Sequence, residues 1–272
     1  MSAAIDVTEK SINAALTSLE TSDDAREAAL RTSLNIARMR CVLDPKAVML
    51  ETWESWLLAM QVHSAVFAAA STDEEAATCQ IRQVERRLVA TGPQFHVNAG
   101  TWVQAFYLAL VCRETARLDM LANIPVSLLR DCGGVMDEYI YAWVETLQSF
   151  WLRRDDLSDK LVQAVDLNAP EAARIVDAQT MGKLSYPPII LFYRYLRRDA
   201  EGFNTTLADA LRWHKECWIA DTDRKESVEG VVALGPLAIA CLARAVSIPI
   251  KIESPYLPQA LLDYAWEGEF DA

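Results

Sequence analysis

An uncharged stretch near the end of the chain constrains the fold more than any other feature. Residues 230–243 carry no charged side chain, and small or aliphatic residues occur on every side of the helix that they would form. A helix that is apolar all round is normally buried, because a surface helix shows a polar face. We therefore predict a central helix within 227–253, with other helices packed around it. Gly235-Pro236 either kinks this helix or restarts it, since proline suits a first helical turn and disrupts an interior.

The composition favours one helical domain that needs no disulfides. Only 9 Gly and 10 Pro occur in 272 residues, and 52% of the residues are hydrophobic, so the chain is rich in helix formers and can bury a large core. The six cysteines include no Cys-x-x-Cys pair, and they lie mainly inside apolar helical patterns. We expect reduced, buried thiols in a cytoplasmic protein.

Charge and hydropathy argue against membranes and nucleic acids as partners. The uncharged run 55–72 is long enough to cross a membrane, but polar residues interrupt it and acidic residues flank it, so a core helix is favoured. The formal net charge is −12, from 38 acidic and 26 basic residues. A negative surface disfavours nucleic acid and anionic lipid while it permits a basic protein partner.

Helical periodicity runs along the whole chain and predicts an all-α fold. We interpret the chain as an array of antiparallel helix pairs, tetratricopeptide-like in style, around the buried C-terminal helix. We predict a single domain over 1–272. A loose seam, meaning a weak boundary between two parts of the domain, would lie at 92–98. Besides the central helix and a short helix opened by Pro125, helices are predicted over 8–20, 22–42, 45–70, 72–91, 100–117, 135–153, 157–167, 170–182, 189–198, 199–218 and 259–266.

Two sets of residues suggest metal chemistry, and each has a structural explanation. Asp155, Asp156 and Asp159 match the DDxxD pattern with which isoprenoid synthases bind magnesium and diphosphate. They also stand where a helix begins, and there capping and the helix dipole favour acidic residues. His214 and Cys217 are three apart on a helix, but His214 lies on an apolar stripe and fits a hydrogen-bonded core histidine. No catalytic residue, metal ligand or cofactor is predicted, so the chain is not expected to be an enzyme.

The acidic surplus is concentrated at two places, the loop before the central helix and the C-terminus. It fits two interpretations, an ordinary solvated loop and tail or a landing surface for a basic partner. The candidate partner-binding residues are Asp221, Asp223, Glu226, Glu229, Asp263, Glu267, Glu269 and Asp271.

The stretch 187–262 resembles the immunity protein 49 family of bacterial polymorphic-toxin systems. The residues that carry the resemblance are Pro188-Ile189-Ile190-Leu191, Phe203, His214-Lys215-Glu216-Cys217-Trp218, Glu229-Gly230, Ser254-Pro255-Tyr256-Leu257-Pro258 and Leu261-Leu262. The resemblance implies a mostly helical, cytosolic protein that binds and neutralises a cognate toxin by blocking its active or substrate-binding site. The toxin would be a basic, nuclease-like domain, onto which an acidic inhibitor is steered.

Two other functions stay open at this point. One is a helical-repeat-like scaffold that binds a peptide or regulator. The other is a magnesium-dependent all-α enzyme that acts on diphosphates through Asp155 and Asp156. The sequence leaves the oligomeric state and the identity of the toxin undetermined.

Overall fold

The computed structural model describes residues 1–169 and 174–266. Helices account for 67% of the chain, and the strands that accompany them form a small two-stranded sheet, so the predicted all-α class is confirmed. The helices are α1 (Ser2–Ser18), α2 (Asp23–Leu43), α3 (Leu50–Ser71), α4 (Ala99–Val111), α5 (Thr115–Ala122), α6 (Val126–Arg130), α7 (Glu138–Trp151), α8 (Leu157–Leu167), α9 (Ala178–Thr180), α10 (Tyr186–Leu196), α11 (Ala200–Trp218), α12 (Thr222–Glu226), α13 (Leu234–Ala245) and α14 (Gln259–Asp263). A π-helical turn (Met181–Ser185) precedes α10, and a 3₁₀ segment (Val228–Val231) precedes α13.

The predicted central helix is α13, and the structure confirms that other helices surround it. Helices α4, α10, α11 and α14 pack against α13. Gly235 permits α10 to approach closely, since a Cβ atom there would lie 2.7 Å from Cγ of Pro188 in α10. Pro236 stands in the first turn of α13, so the Gly-Pro pair restarts the helix after the 3₁₀ segment and does not kink it.

One apolar helical window, Val228–Ala245, has the length and composition of a membrane span, and 61% of it is buried inside the protein. A core helix of a soluble protein meets the same criterion, so this window by itself is weak support for a membrane. The uncharged run 55–72 falls in α3, where most side chains are buried. Both apolar stretches therefore form parts of the core.

The predicted helix over 72–91 is wrong, because this segment forms a β-hairpin. Strands β1 (Ala76–Ile81) and β2 (Val84–Val89) are antiparallel, with Ile81 opposite Val84. Arg82 and Gln83 form the two-residue turn with φ values of 51° and 60°, which is the left-handed conformation that such turns need. An Arg-Gln pair lacks the Asn-Gly signature of these turns, so the hairpin has no clear local signal. The Thr72 hydroxyl, at the start of the segment, accepts from the Glu74 N–H at 3.1 Å and holds a turn.

Several helix boundaries also differ from the prediction. The third helix begins at Leu50 and not at Pro45, because the Asp44 carboxylate accepts hydrogen bonds from the backbone N–H groups of Val48 and Met49 and holds a turn there. The helix predicted over 100–117 is interrupted at Arg113, whose φ of 56° separates α4 from α5. The start of the predicted helix 170–182 lies outside the described residues.

The hydrophobic core joins the two ends of the described chain. One cluster of buried apolar residues extends from Ile12 in α1 to Leu262 in α14. Within 92–98, the proposed seam, Val97 belongs to the same cluster. The single-domain organisation stays a prediction, and the continuity of the cluster favours it.

Candidate partner-binding site

The acidic segment before α13 is exposed and has a defined local structure. The Asp221 carboxylate caps α12 by accepting a hydrogen bond from the Arg224 backbone N–H at 2.8 Å, and its other oxygen lies 3.4 Å from Nε of Arg224. Asp223, Glu226 and Glu229 are exposed to solvent. Asp221 therefore serves the fold, whereas the other three carboxylates are available to a partner.

The C-terminal acidic group is described only at Asp263. Its carboxylate lies 2.8 Å from a guanidinium nitrogen of Arg244, so it ties α14 to α13. Glu267, Glu269 and Asp271 lie outside the described residues.

A cluster of side chains around Gly230 holds the 3₁₀ segment that carries Glu229. The His214 Nε2 atom lies 2.9 Å from the Gly230 carbonyl oxygen, within hydrogen-bond distance. The His214 ring packs edge-on against Tyr256 at 5.0 Å, and Trp218 packs so tightly on Gly230 that a Cβ there would lie 2.6 Å from the indole. These residues are among those that carry the family resemblance, and together they fix the position of the acidic segment.

Beside Glu229 lies a cleft that the sequence analysis did not predict. It has a volume of about 210 Å³ and opens along α2, whose Glu27, Arg31, Asn35 and Arg38 follow one another at spacings of three or four residues and so share one face of the helix. The remaining lining residues are Leu30, Leu34, His63, Phe95, His96, Asn98, Thr101, Gln104 and Glu229. The cleft is therefore polar, and α2, α3, α4, the 92–98 loop and the 3₁₀ segment form its walls.

Arg38 is the unusual residue of this cleft. Its exposed fraction is 8%, and its Nε atom is buried without a hydrogen-bond partner. Among the residues that the structure describes, no ion pair engages the Arg38 guanidinium. Burial lowers the pKa of Arg38, and the nearby negative charge of Glu229 partly offsets this effect. An arginine stays protonated at neutral pH all the same, so the cleft contains a desolvated cation.

The histidines around the cleft are neutral. His63 is buried, and its Nδ1 atom lies 2.7 Å from the Ala59 carbonyl oxygen. Burial lowers the pKa of His63 to about 4, and the charge of Arg38 acts in the same direction. Burial also lowers the pKa of His96, whose Nε2 atom has no partner within the described chain. The positive charge of the cleft therefore resides on the arginines.

An exposed aromatic residue forms part of the cleft. Phe95 is 67% exposed, and its backbone is held by Asn98, whose side-chain amide donates to the Phe95 carbonyl oxygen at 3.0 Å. Asn98 also caps α4 by accepting from the Thr101 N–H. Val42 follows Arg38 by one helical turn on the same side of α2 and is likewise exposed. Large exposed apolar side chains beside a polar cleft are typical of protein-binding surfaces.

Neither set of residues considered for metal binding converges. Asp155, Asp156 and Asp159 are exposed around the start of α8. His214 contacts Gly230, whereas the Cys217 sulfur lies 3.0 Å from Nη1 of Arg224. In 1–169 and 174–266, no group of three or more His, Cys, Asp or Glu side chains is arranged to hold a metal ion. The expectation of a hydrogen-bonded core histidine at position 214 is confirmed.

The sequence contains only a weak signal for the cleft. The i, i+4 spacing of Glu27, Arg31 and Asn35 indicates a polar face of α2, but an ordinary solvated face has the same pattern. The other walls of the cleft come from α3, α4, the 92–98 loop and the 3₁₀ segment, which are distant from α2 in sequence. Only the fold brings these residues together.

Comparison with known proteins gives one family. The model of the family described as immunity protein 49 matches residues 44–261. No curated protein and no solved structure matches the chain. The match includes His63, the 92–98 loop and Glu229, whereas the cleft residues of α2 lie before it.

Proposed function

Because the chain belongs to the immunity protein 49 family, we propose that it binds a cognate toxin protein and neutralises it by covering the toxin's active or substrate-binding site. The family match over residues 44–261 is the observation that carries this proposal. The proposal requires binding alone and assigns no reaction to the chain.

The contact face that we propose combines the acidic segment with the cleft beside α2. Asp223, Glu226 and Glu229 supply negative charge, and Phe95 supplies an exposed aromatic side chain. Aromatic anchors surrounded by a charged rim are the usual anatomy of a specific protein interface. Opposite charges on the partner would accelerate encounter and suppress wrong partners. The chemistry of the face thus favours a toxin domain with a basic surface, such as a nuclease-like domain with a cationic substrate cleft.

We also propose that the protein acts in the cytoplasm. All six cysteines are free and buried. Disulfides are rare in that reducing compartment, and buried thiols behave there as small hydrophobic residues.

The test uses the toxin domain encoded next to the gene of this chain. Isothermal titration gives the affinity, and growth of cells that express the toxin domain gives the protection. The variant Asp223→Lys/Glu226→Lys/Glu229→Lys reverses the charge of the proposed face. Its matched control is Asp155→Lys/Asp156→Lys/Asp159→Lys, which makes the same charge change at exposed positions at the start of α8. Circular dichroism verifies that both variants are folded.

We expect tight binding and protection by the wild type and by the control, and a lower association rate and affinity for the variant of the acidic face. Equal losses in both triple variants would mean that net charge, and not this face, governs binding. A wild type that neither binds nor protects would refute the proposed function. Absence of any neighbouring toxin gene would favour the helical scaffold instead.

A further inference from the structure

We propose that the cleft beside α2 receives a carboxylate side chain of the toxin, an Asp or a Glu, on the guanidinium of Arg38. This inference rests on the proposed function and adds the chemistry of one contact. It also assigns Arg38 a role in selecting the cognate toxin.

The burial of Arg38 is unfavourable in the free protein. Only 8% of the residue is exposed, and its Nε–H has no acceptor within the described chain. A charged group removed from water without a partner destabilises a protein by several kcal/mol. Natural cores avoid such groups, and buried arginines are usually paired. A cation that the fold leaves unpaired at the wall of an open cleft is therefore suited to a ligand from outside.

Within the described residues, no carboxylate forms an ion pair with Arg38. Glu229 influences the pKa of Arg38 through space, but the two side chains form no ion pair within the described part of the chain. Its carboxylate is exposed, so it stabilises Arg38 only weakly across solvent. The planar fork of N–H donors on the guanidinium is thus available, and this geometry matches a carboxylate with two parallel hydrogen bonds.

The histidines near the Arg38 guanidinium carry no charge. Burial lowers the pKa of His63 and of His214 to about 4, and the positive charge of Arg38 acts on both in the same direction. Both rings are neutral at pH 7, so neither attracts an anion to another point of the cleft. The volume of about 210 Å³ accommodates a side chain and excludes a folded element. Asn35 and Gln104 also line the cleft, and within the described part of the chain their side chains form no hydrogen bond, so both amides are free to donate.

The cleft favours a carboxylate on a protein over a small anion in solution. The exposed carboxylates of Glu27 and Glu229 are part of the cleft, and they repel a free anion. A carboxylate on a basic protein surface arrives with cations that neutralise this repulsion. Exposed Phe95 would then cover the contact and exclude water, as the neighbours of an interface hot spot do. A toxin that presents any other side chain would leave Arg38 buried and unpaired, so the arginine discriminates against it.

The experiment compares Arg38→Met and Arg38→Lys with Arg31→Met in the full chain. Arg31 is an exposed arginine of the same cleft, so its replacement removes one positive charge without removing the buried fork. Affinity for the neighbouring toxin domain is measured by isothermal titration, and the thermal unfolding midpoint of each free chain is recorded. Each Asp and Glu of the toxin domain is then replaced by Ala, and its binding is measured with wild type and with Arg38→Met.

We expect Arg38→Met to weaken binding by at least about 30-fold, to leave the unfolding midpoint of the free chain unchanged or higher, and to couple with one acidic residue of the toxin. We expect Arg38→Lys to restore less than a tenth of the lost affinity, because an ammonium group lacks the planar fork. We expect Arg31→Met to bind within about threefold of wild type. A toxin carboxylate whose removal costs affinity with wild type and nothing with Arg38→Met identifies the occupant.

If wild type and Arg38→Met bind the toxin domain with equal affinity, this inference is overturned and the proposed function stays intact. Wild type that does not bind refutes both. A variant Arg38→Met that unfolds, or the absence of coupling with every toxin carboxylate, assigns Arg38 a structural role and overturns the inference. Phosphate and acetate are titrated into the free chain as probes of a free anion. Stabilisation of wild type but not of Arg38→Met, with toxin affinity unaffected by the substitution, assigns the cleft to a small anion instead.

Discussion

Replacement of Gly230 by alanine tests how the acidic segment is fixed. A Cβ atom at this position would lie 2.6 Å from Cγ and 2.8 Å from Cβ of Trp218. The Trp218 Cβ is attached directly to the backbone of α11, so it cannot move unless the helix moves. The new methyl group must therefore displace the 3₁₀ segment, and with it the hydrogen bond that joins His214 to the Gly230 carbonyl.

The expected magnitude follows from two opposing effects. Overpacking a well-packed site typically costs about 1–3 kcal/mol. Replacing glycine by alanine at a compatible backbone conformation returns roughly 0.4–1 kcal/mol by restricting the unfolded chain. The net loss in the free energy of unfolding is then about 1–2 kcal/mol, which lowers the melting temperature of a chain of this size by roughly 2–8 °C.

The assay is thermal unfolding followed by circular dichroism, with Gly182→Ala as the matched control. A Cβ atom at Gly182 would meet nothing within 4 Å apart from its chain neighbours and the backbone of its own helix, so this substitution keeps the gain from the unfolded state and adds no clash. We expect the control to equal or exceed wild type in stability. A Gly230→Ala protein as stable as Gly182→Ala would refute the close packing of Gly230 on Trp218.

Three further predictions concern pH, thiols and the hairpin turn. Burial lowers the pKa of His63 and of His214 to about 4. The unfolded chain therefore binds more protons than the native chain between about pH 4 and about pH 6.5. We expect urea titrations to show that the free energy of unfolding falls by roughly 1–2 kcal/mol per histidine from pH 7 to pH 5. The double replacement of both histidines by Gln should flatten this profile, and an unchanged slope would contradict the assignment. All six cysteines are buried, and burial raises the pKa of the Cys41 thiol to about 12. Ellman's reagent should therefore react slowly with the native protein, whereas all six thiols should react after denaturation. Rapid labelling of the native protein would contradict this prediction. Gln83 adopts a φ of 60°, so Gln83→Gly should raise the free energy of unfolding by about 1 kcal/mol, whereas a loss of stability would show that the side chain of Gln83 contributes contacts to the folded hairpin.

The buried α13 was predictable because its signal is local. An uncharged run with residues such as Gly235 at close helix contacts has few alternatives to a central helix. The cap at Ser22 was equally predictable, and its side chain accepts from the Ala25 N–H. These features depend on neighbours in sequence, which a linear pattern contains.

The hairpin and the Arg38 cleft were not predictable because their causes are distant in sequence. Residues 76–89 contain acceptable helix formers, and only packing of the buried residues Ile81 and Leu88 against the core selects strands. In the sequence, Arg38 cannot be distinguished from the other charged residues of an amphipathic helix. Its burial arises in the fold, where α3 and the 3₁₀ segment pack against α2.

The roles of the acidic residues were only partly predictable from the sequence. Their concentration before α13 is visible in the sequence, but the structure separates their roles. Asp221 caps a helix and Asp263 pairs with Arg244, whereas Asp223, Glu226 and Glu229 remain exposed. Composition gives the charge of a surface, and only geometry tells which carboxylates are already engaged.

The central claim is that this chain neutralises a toxin by occupying it through the face around Arg38 and Glu229. The most direct measurement is the hydrogen-exchange protection of the chain upon addition of the toxin domain encoded beside its gene. The account predicts slower exchange in the 92–98 loop and in the acidic segment from Asp221 to Glu229. Protection confined to other parts of the chain, such as α8 and α10, with these two segments unchanged, would contradict it.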